Sequence, residues 1–437
     1  MFRSTTWRAG GFMQRGRNII TAAVLVTCMA VACTAGPAAR ESPPPKPRTS
    51  AAPAVPEFDP PMAFSPDGVT VVDFGEAFPD DPRDSEFPYL VDDGVVYFVL
   101  GPNLEARDLA TGESLWTAAG QGAPNPTTPV LVRAGGRAFL HATFHVTEPG
   151  SGTTQDRELL RVARIDAATG EVVWATDIAD LPEGVRIGRV GVVGADEEHV
   201  VVSPVQLSQP DDIDEVAGFT AVLDAGTGDV RWQQPDLWSF ALAGGVVGAA
   251  RVEPVGFRND HTLVGRSAVD GRDVWVAPEQ VNDGGVDDGH AVGPDLYFVH
   301  TGSRDSLVVA VATGKVLLDL TRRLQESPFD NCHADGRDTI VCAGIDGLDE
   351  AVAAGYDVRS GKLLWQLPDE SANRIAPEVH AARNGAVYGS VEDRGVVLDA
   401  RTGEDEAVDQ EIVPTRVVRG FGLRLDRSGI VAYPATK

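Results

Sequence analysis

No two cysteines are adjacent in this 437-residue chain, and there are only four in all: Cys28, Cys33, Cys332 and Cys342. So few exclude a small disulfide-dense scaffold and any array of cysteine-ligated zinc sites. Lysine is equally scarce, with Lys46, Lys315, Lys362 and Lys437 alone. The formal net charge is −27, which argues against a nucleic-acid partner, because phosphate backbones need clustered Lys and Arg. No apolar run approaches the roughly 20 residues of a membrane-spanning helix. No window carries a convincing three-turn helix, so α and α/β folds are disfavoured. A Gly-x-Ser-x-Gly elbow, a phosphate loop and a His-x-x-x-His helix site are missing too. Eight histidines are scattered, at 141, 145, 199, 261, 290, 300, 333 and 380. His141 and His145 share a strand face but lie about 13 Å apart there, too far for one metal. The acidic clusters Asp80-Asp81, Asp211-Asp212-Ile213-Asp214-Glu215 and Asp287-Asp288 lack the spacing of a calcium loop and read as solvated surface. No catalytic, cofactor-binding or metal-ligating residue can be named.

What is present begins with the N-terminus. Arg3, Arg8, Arg15 and Arg17 precede an apolar stretch from Ile19 to Ala32, about 14 residues, which suits a signal-peptide core. It ends in Ala30-Val31-Ala32-Cys33-Thr34. This resembles a bacterial lipobox, although Ala30 stands where Leu is preferred. The resemblance implies that residues 1–32 are removed and that Cys33 is acylated. It also implies an exported protein, lipid-anchored at the extracytoplasmic face of the cell membrane. Residues 33–61 follow, rich in Pro, Ala and Ser. They read as a tether spanning on the order of 30 Å.

From 62 to 437 short β-branched runs alternate with Gly, Asp, Asn and Pro, the signature of strands and turns. A motif recurs through them. Trp lies four residues after glycine at Gly112/Trp116, Gly170/Trp174, Gly228/Trp232, Gly271/Trp275 and Gly361/Trp365. Asp lies four residues before it at Asp108, Asp166, Asp224, Asp357 and Asp399. Gly314 and Gly403 mark weaker copies, with Leu318 and Ala407 in the tryptophan position. In the fourth copy Asp270 sits beside Gly271, so a shorter turn is expected there. Glycine would make the turn between third and fourth strands, Asp would accept turn N–H groups, and Trp would fill the gap to the next blade.

These Asp-x-x-Thr-Gly-x-x-x-Trp repeats resemble the tryptophan-docking repeats of PQQ-type β-propellers, the quinoprotein alcohol dehydrogenase-like fold. The resemblance implies an all-β propeller with four-stranded blades. The motif glycines are 58, 58, 43, 43, 47 and 42 residues apart. About 42 to 47 suits one blade, so the long repeats carry insertions, expected at Glu148–Asp156 and Ser208–Glu215. Seven motifs make seven blades. Strands over 416–425, 429–434 and 68–74 are expected to combine as an eighth, with seven blades as the alternative. Cys332 and Cys342 flank one hairpin centred near Arg337, and a cross-strand disulfide is expected in an exported protein.

The same family contains quinone-dependent dehydrogenases. As the resemblance implies, those use an adjacent Cys-Cys disulfide over the cofactor, with calcium and an Asp base. The missing Cys-Cys pair argues against that activity and for no cofactor. The reading is a non-catalytic envelope module that binds another protein. A quinone dehydrogenase and an extracellular ligand or glycan sensor are the alternatives.

Overall fold

The computed structural model describes residues 58–437, apart from 74–87, 101–102, 119–121, 126, 179–180, 183–184, 186, 205–217, 256–257, 278–285, 302–305, 321–328, 347–349 and 427–428. The signal, Cys28, Cys33, most of the tether, Asp80-Asp81, the Ser208–Glu215 insertion and Asp211–Glu215 therefore lie outside the described residues. The described strands form eight antiparallel sheets, each built on four strands paired in sequence through three ladders. Blade 1 is Tyr89–Asp92, Val95–Leu100, Asn103–Asp108 and Ser114–Ala118. Blade 2 is Val130–Ala134, Arg137–Glu148, Arg157–Asp166 and Val172–Ile178, with Ala123–Pro124 added beside its second strand. Blades 3 to 7 follow in order, starting at Val190, Leu237, Val286, Phe329 and Glu378.

Blade 8 closes the ring. Its first three strands are Arg416–Val418, Phe421–Asp426 and Gly429–Pro434, and its outermost strand is Val69–Asp73 from the other end of the chain. The composite blade is as expected, with one correction. The 416–425 run is not one strand, because Gly420 at φ 74° turns the chain between Val418 and Phe421.

Hydrophobic clusters sit between successive blades. Tyr97, Leu104 and Ala106 of blade 1 meet Leu140, Phe144 and Ile165 of blade 2. Val71, Phe421 and Ile430 of blade 8 meet Tyr89, Val96 and Phe98 of blade 1, which makes the ring continuous. Such closure leaves only short outer edges.

The repeated motif is the fastener between these sheets. Each indole N–H donates to a backbone carbonyl in the motif turn of the following blade. The pairs are Trp116 to Ala167 (2.9 Å), Trp174 to Ala225 (3.0 Å), Trp232 to Ala268 (3.0 Å), Trp275 to Val311 (2.9 Å) and Trp365 to Ala400 (2.8 Å). The ring also covers the next motif glycine. A Cβ on Gly170 would lie 2.7 Å from Trp116, and Gly170 has φ +73°. Glycine is thus required twice over, for the turn and for the approach. The motif Asp holds the turn from inside. Asp166 accepts from the N–H of Ala168 (3.0 Å) and Thr169 (3.1 Å), and Asp224 accepts from Gly226 and Thr227, both at 2.9 Å. The fourth turn is not shortened. Gly271 N–H bonds Ser267 O at 2.8 Å, the same bond Gly112 makes to Asp108 O at 2.8 Å. Ser267 occupies the Asp position, so the backbone is conserved where the side chain is not.

The two degenerate copies have structural explanations. Leu318 packs under Gly361 where a tryptophan would stand. That junction carries the disulfide Cys332–Cys342, whose cysteines pair directly across the first two strands of blade 6. Both are fully buried in the cluster shared by blades 5 and 6. Ala407 faces blade 8, where the two ends of the domain replace the motif turn. Met62 and Phe64 fill that junction instead, and Tyr388 Oη donates to Pro61 O at 2.8 Å. The chain in fact engages the ring from Phe58 onward. Phe58 O accepts from Gly420 N–H (3.0 Å), and the Arg383 guanidinium makes two bonds to the Asp59 carboxylate, at 2.7 and 3.0 Å.

Removing the disulfide, by replacing Cys332 and Cys342 together with Ala, is expected to cost about 3 kcal/mol, the loop-closure value for ten residues. Thermal unfolding of this variant beside wild type, each with and without reductant, checks it. Equal midpoints in all four samples would show the bridge to be energetically idle.

Candidate functional site

The ring has two unlike faces. On one lie the turns joining first to second strands and the motif turns. They are tied together, since the residue after the motif Asp donates its N–H to the neighbouring turn. Leu109 bonds Gly94 O (2.8 Å), Ala268 bonds Gly245 O (2.9 Å) and Ala400 bonds Gly385 O (2.8 Å). On the other face lie the links between second and third strands and those between blades.

Two of those links are elongated hairpins. In blade 2 the pairing runs out to Glu148 and Arg157. There Glu158 accepts from Thr147 Oγ1 (3.1 Å) and contacts His145, while Gly150 N–H bonds Asp156 (2.9 Å). The Glu148–Asp156 insertion is therefore the tip of a paired ribbon. In blade 4 the second and third strands stay paired out to Val255 and Arg258. Sequence spacing missed this hairpin. Blade 3 ends at Pro235 and blade 4 begins at Leu237, so the single-residue link offset the added length.

Buried polar groups brace the blades beneath these hairpins. The Asn125 amide donates to Ile187 O and Val190 O, both at 2.8 Å, and Thr143 Oγ1 donates to Val190 O at 2.8 Å. Thr220 Oγ1 bonds Leu237 O and Ser239 Oγ, each at 2.8 Å. Burial without such bonds would cost about 1–3 kcal/mol per group, so these links fix blades 2, 3 and 4 in one geometry.

The histidines disperse into structural roles. His141 is buried against Trp174 and pairs across the sheet with Arg164. His199 meets Asp196 (3.1 Å), His300 meets Ser306 (3.1 Å) and His380 meets Ser390 (2.9 Å). His290 of blade 5 reaches the backbone of Cys332 in blade 6. His290, His333 and His380 all lie on first strands, of blades 5, 6 and 7. Burial, then His290 and His380, push His333 down to about 4. Sequence reading could not foresee that convergence, because the three lie 43 and 47 residues apart on strands with no shared local pattern. Among the described residues no group of three His, Cys, Asp or Glu side chains is placed to hold a metal ion.

The residues do not fit a pyrroloquinoline quinone. The cysteine bridge that would have to cap it joins positions ten apart and is buried in a blade junction. No adjacent cysteines occur in the chain.

No family model matches the chain, and no curated protein matches it. Solved structures do share its fold. The computationally designed Ika8 protein superposes with a TM-score of 0.50 at 13% identity, over 80% of this chain and 95% of that one. BamB from Moraxella catarrhalis gives 0.46 at 12% identity, over 80% and 94%. The quinohemoprotein alcohol dehydrogenase ADHIIG from Pseudomonas putida HK5 gives 0.45 at 12% identity, over 79% and 69%. At such identities the likeness concerns architecture alone. The sheet order makes the chain an eight-bladed β-propeller, and the indole-to-carbonyl bonds make five of its junctions tryptophan-docked.

Proposed function

We propose that the protein is an envelope lipoprotein whose propeller is a non-catalytic scaffold that binds another protein. The observation that carries this reading is the asymmetry of the ring. One face bears two long paired hairpins on blades joined by buried hydrogen bonds, a rigid platform with polar projections. Recognition elements on a stiff frame lose little entropy on binding. The fastening motif is used at five junctions, which suits a frame; reaction centres are built once. Cys33 supplies the anchor, and its acylation and export are part of the proposal.

Replacing 149–156 by a two-residue turn is expected to abolish capture of the partner from membranes solubilised in mild detergent, while leaving thermal unfolding within about 0.5 kcal/mol of wild type. Undiminished capture would remove that hairpin from the interface. The anchor has its own test. Radioactive palmitate is expected to label wild type and not Cys33→Ala; equal labelling would sink the lipoprotein reading.

A further inference from the structure

We infer that Lys315, Arg337, Arg359 and Lys362 form a cationic docking patch for an anionic phospholipid surface, on the motif-turn rim of blades 5 and 6. The choice of lipid rests on the lipoprotein reading, which sets the ring beside a membrane; the patch itself rests on geometry. The residue after each motif glycine occupies the same exposed place at every turn. Around the ring it reads Glu113, Glu171, Asp229, Arg272, Lys315, Lys362 and Glu404. In a chain with four lysines, two fall at this one position on neighbouring blades. Contacts between the turns bring them together. A Cβ on Gly361 would lie 2.5 Å from Leu317 O. Lys362, next to that glycine, therefore stands on the order of 10 Å from Lys315, which is two strand residues from Leu317. Arg359 rises from the same turn as Lys362. Val358 N–H bonds Asp338 O at 2.8 Å, which sets the turn carrying Arg337 against the one carrying Arg359. The Arg337 guanidinium reaches on to blade 7, where a Cβ on Gly385 would lie 2.6 Å from its Nη1.

All four side chains are exposed, and none is ion-paired with a carboxylate of the described residues. The acids among them are already engaged. Asp335 is buried and accepts from the N–H groups of Arg337 (2.9 Å) and Thr339 (3.0 Å). Asp357 accepts from the N–H (2.9 Å) and hydroxyl (2.7 Å) of Ser360 in its own turn. Asp338 pairs with Arg401 of blade 7 at 2.8 Å. The net charge of −27 does not decide the field at this rim. Packed sheets lie about 10 Å apart, so Asp229, two blades before Lys315, is about 20 Å away. The Debye length at physiological salt is about 8 Å, so the acids of blades 1 to 3 are screened from the patch. The turn tips project outward, and Leu363 is exposed beside Lys362. A convex row of long cationic side chains with an apolar neighbour suits a fluid layer of phosphate headgroups, which can gather at each cation.

The scarcity of lysine supplies the readout. The full acylated chain can be reconstituted on phosphatidylcholine vesicles and on vesicles that also contain phosphatidylglycerol. Mass spectrometry then follows the acetylation rates of Lys315 and Lys362. Both are expected to react several-fold more slowly on the anionic vesicles, with the difference lost in high salt, which screens exposed charges. Arg337→Gln combined with Arg359→Gln keeps both reporter lysines and removes half the patch charge. Most of the protection should then vanish while thermal unfolding stays unchanged. Equal rates on the two kinds of vesicle, with protein sedimenting on both, would overturn the patch and leave the anchor standing. The same protection from inorganic phosphate alone, without anionic lipid, would overturn the lipid assignment in favour of a small anion. Sedimentation with anionic vesicles only would support the patch and remove the anchor; sedimentation with neither would remove both.

Discussion

Trp174→Ala is expected to destabilise the propeller by about 3 kcal/mol, the lower end of the cost of truncating a large aromatic side chain, because the ring is half-buried against the cluster between blades 2 and 3. Three losses coincide there. The indole covers Gly228, where an added Cβ would lie 2.7 Å from its ring. Its N–H satisfies Ala225 O, which also accepts from Arg164 at 2.5 Å. Its ring flanks His141 at 5.9 Å between centroids. Trp174→Phe keeps most of the apolar contact and drops the hydrogen bond, so about 1 kcal/mol is expected from the lost bond. Denaturant unfolding of both variants separates packing from hydrogen bonding. Equal losses would mean that the bond, not the ring, fastens blades 2 and 3. The matching change at the 5–6 junction, Leu318→Ala, removes less area and leaves the disulfide to hold the hairpin, so its effect should be smaller.

Acid should weaken the fold before the lowered motif carboxylates Asp166 and Asp224 titrate. Burial, reinforced by the Arg164 cation and only partly opposed by the Val130 backbone, pushes His141 down to about 3. His333 stands at about 4, through burial first and then His290 and His380. Arg164 cannot retreat, since its guanidinium lies 3.7 Å from the Phe139 ring centroid and bonds Ala225 O. Both histidines therefore fold neutral. The unfolded chain takes up their protons as pH falls below about 6.5, while the folded chain does not. Stability is complete above that value and declines from 6.5 towards 4, by about 1.4 kcal/mol per pH unit for each histidine. The motif carboxylates act lower down. The Thr227 N–H and then Arg231 hold Asp224 below its ordinary 3.8. For Asp166 burial pulls the other way but is outweighed by Arg137 and the turn donors. Their contribution is present above 3.8 and lost only beneath it. Unfolding free energies at pH 7.5, 6.5, 5.5 and 4.5 should fall steadily, and His141→Phe should roughly halve the slope. A flat profile over that range would mean that these histidines are not held neutral in the fold.

Much of this architecture is written in contiguous residues. Asp-x-x-Thr-Gly is a complete local instruction, because the carboxylate, the N–H groups it accepts and the positive-φ glycine lie within five positions. The blade unit, the Glu148–Asp156 insertion, the composite eighth blade and the disulfide hairpin follow from such short patterns and their spacing. The fourth turn was misread for the same reason. Side-chain identity at Ser267 and Asp270 suggested a different loop, whereas the loop is set by backbone bonds that either residue tolerates.

What the chain alone determined is the repeated unit and its number; what only the tertiary structure decided is the difference between one unit and another. Ala407 lacks a ring because its neighbouring blade has no motif turn to receive one, and Met62 and Phe64 come from more than 300 residues away to fill the space. Leu318 is tolerated where a buried disulfide ties the next blade. The long hairpin of blade 4 is hidden by a one-residue link. The attachment of residues 58–59 to the first strand of blade 7 depends on Asp59 meeting Arg383, 324 positions away. Local turns are set by bonds among neighbours in sequence, so they can be read in a line. Junctions and faces are set by surfaces that meet only when the ring closes.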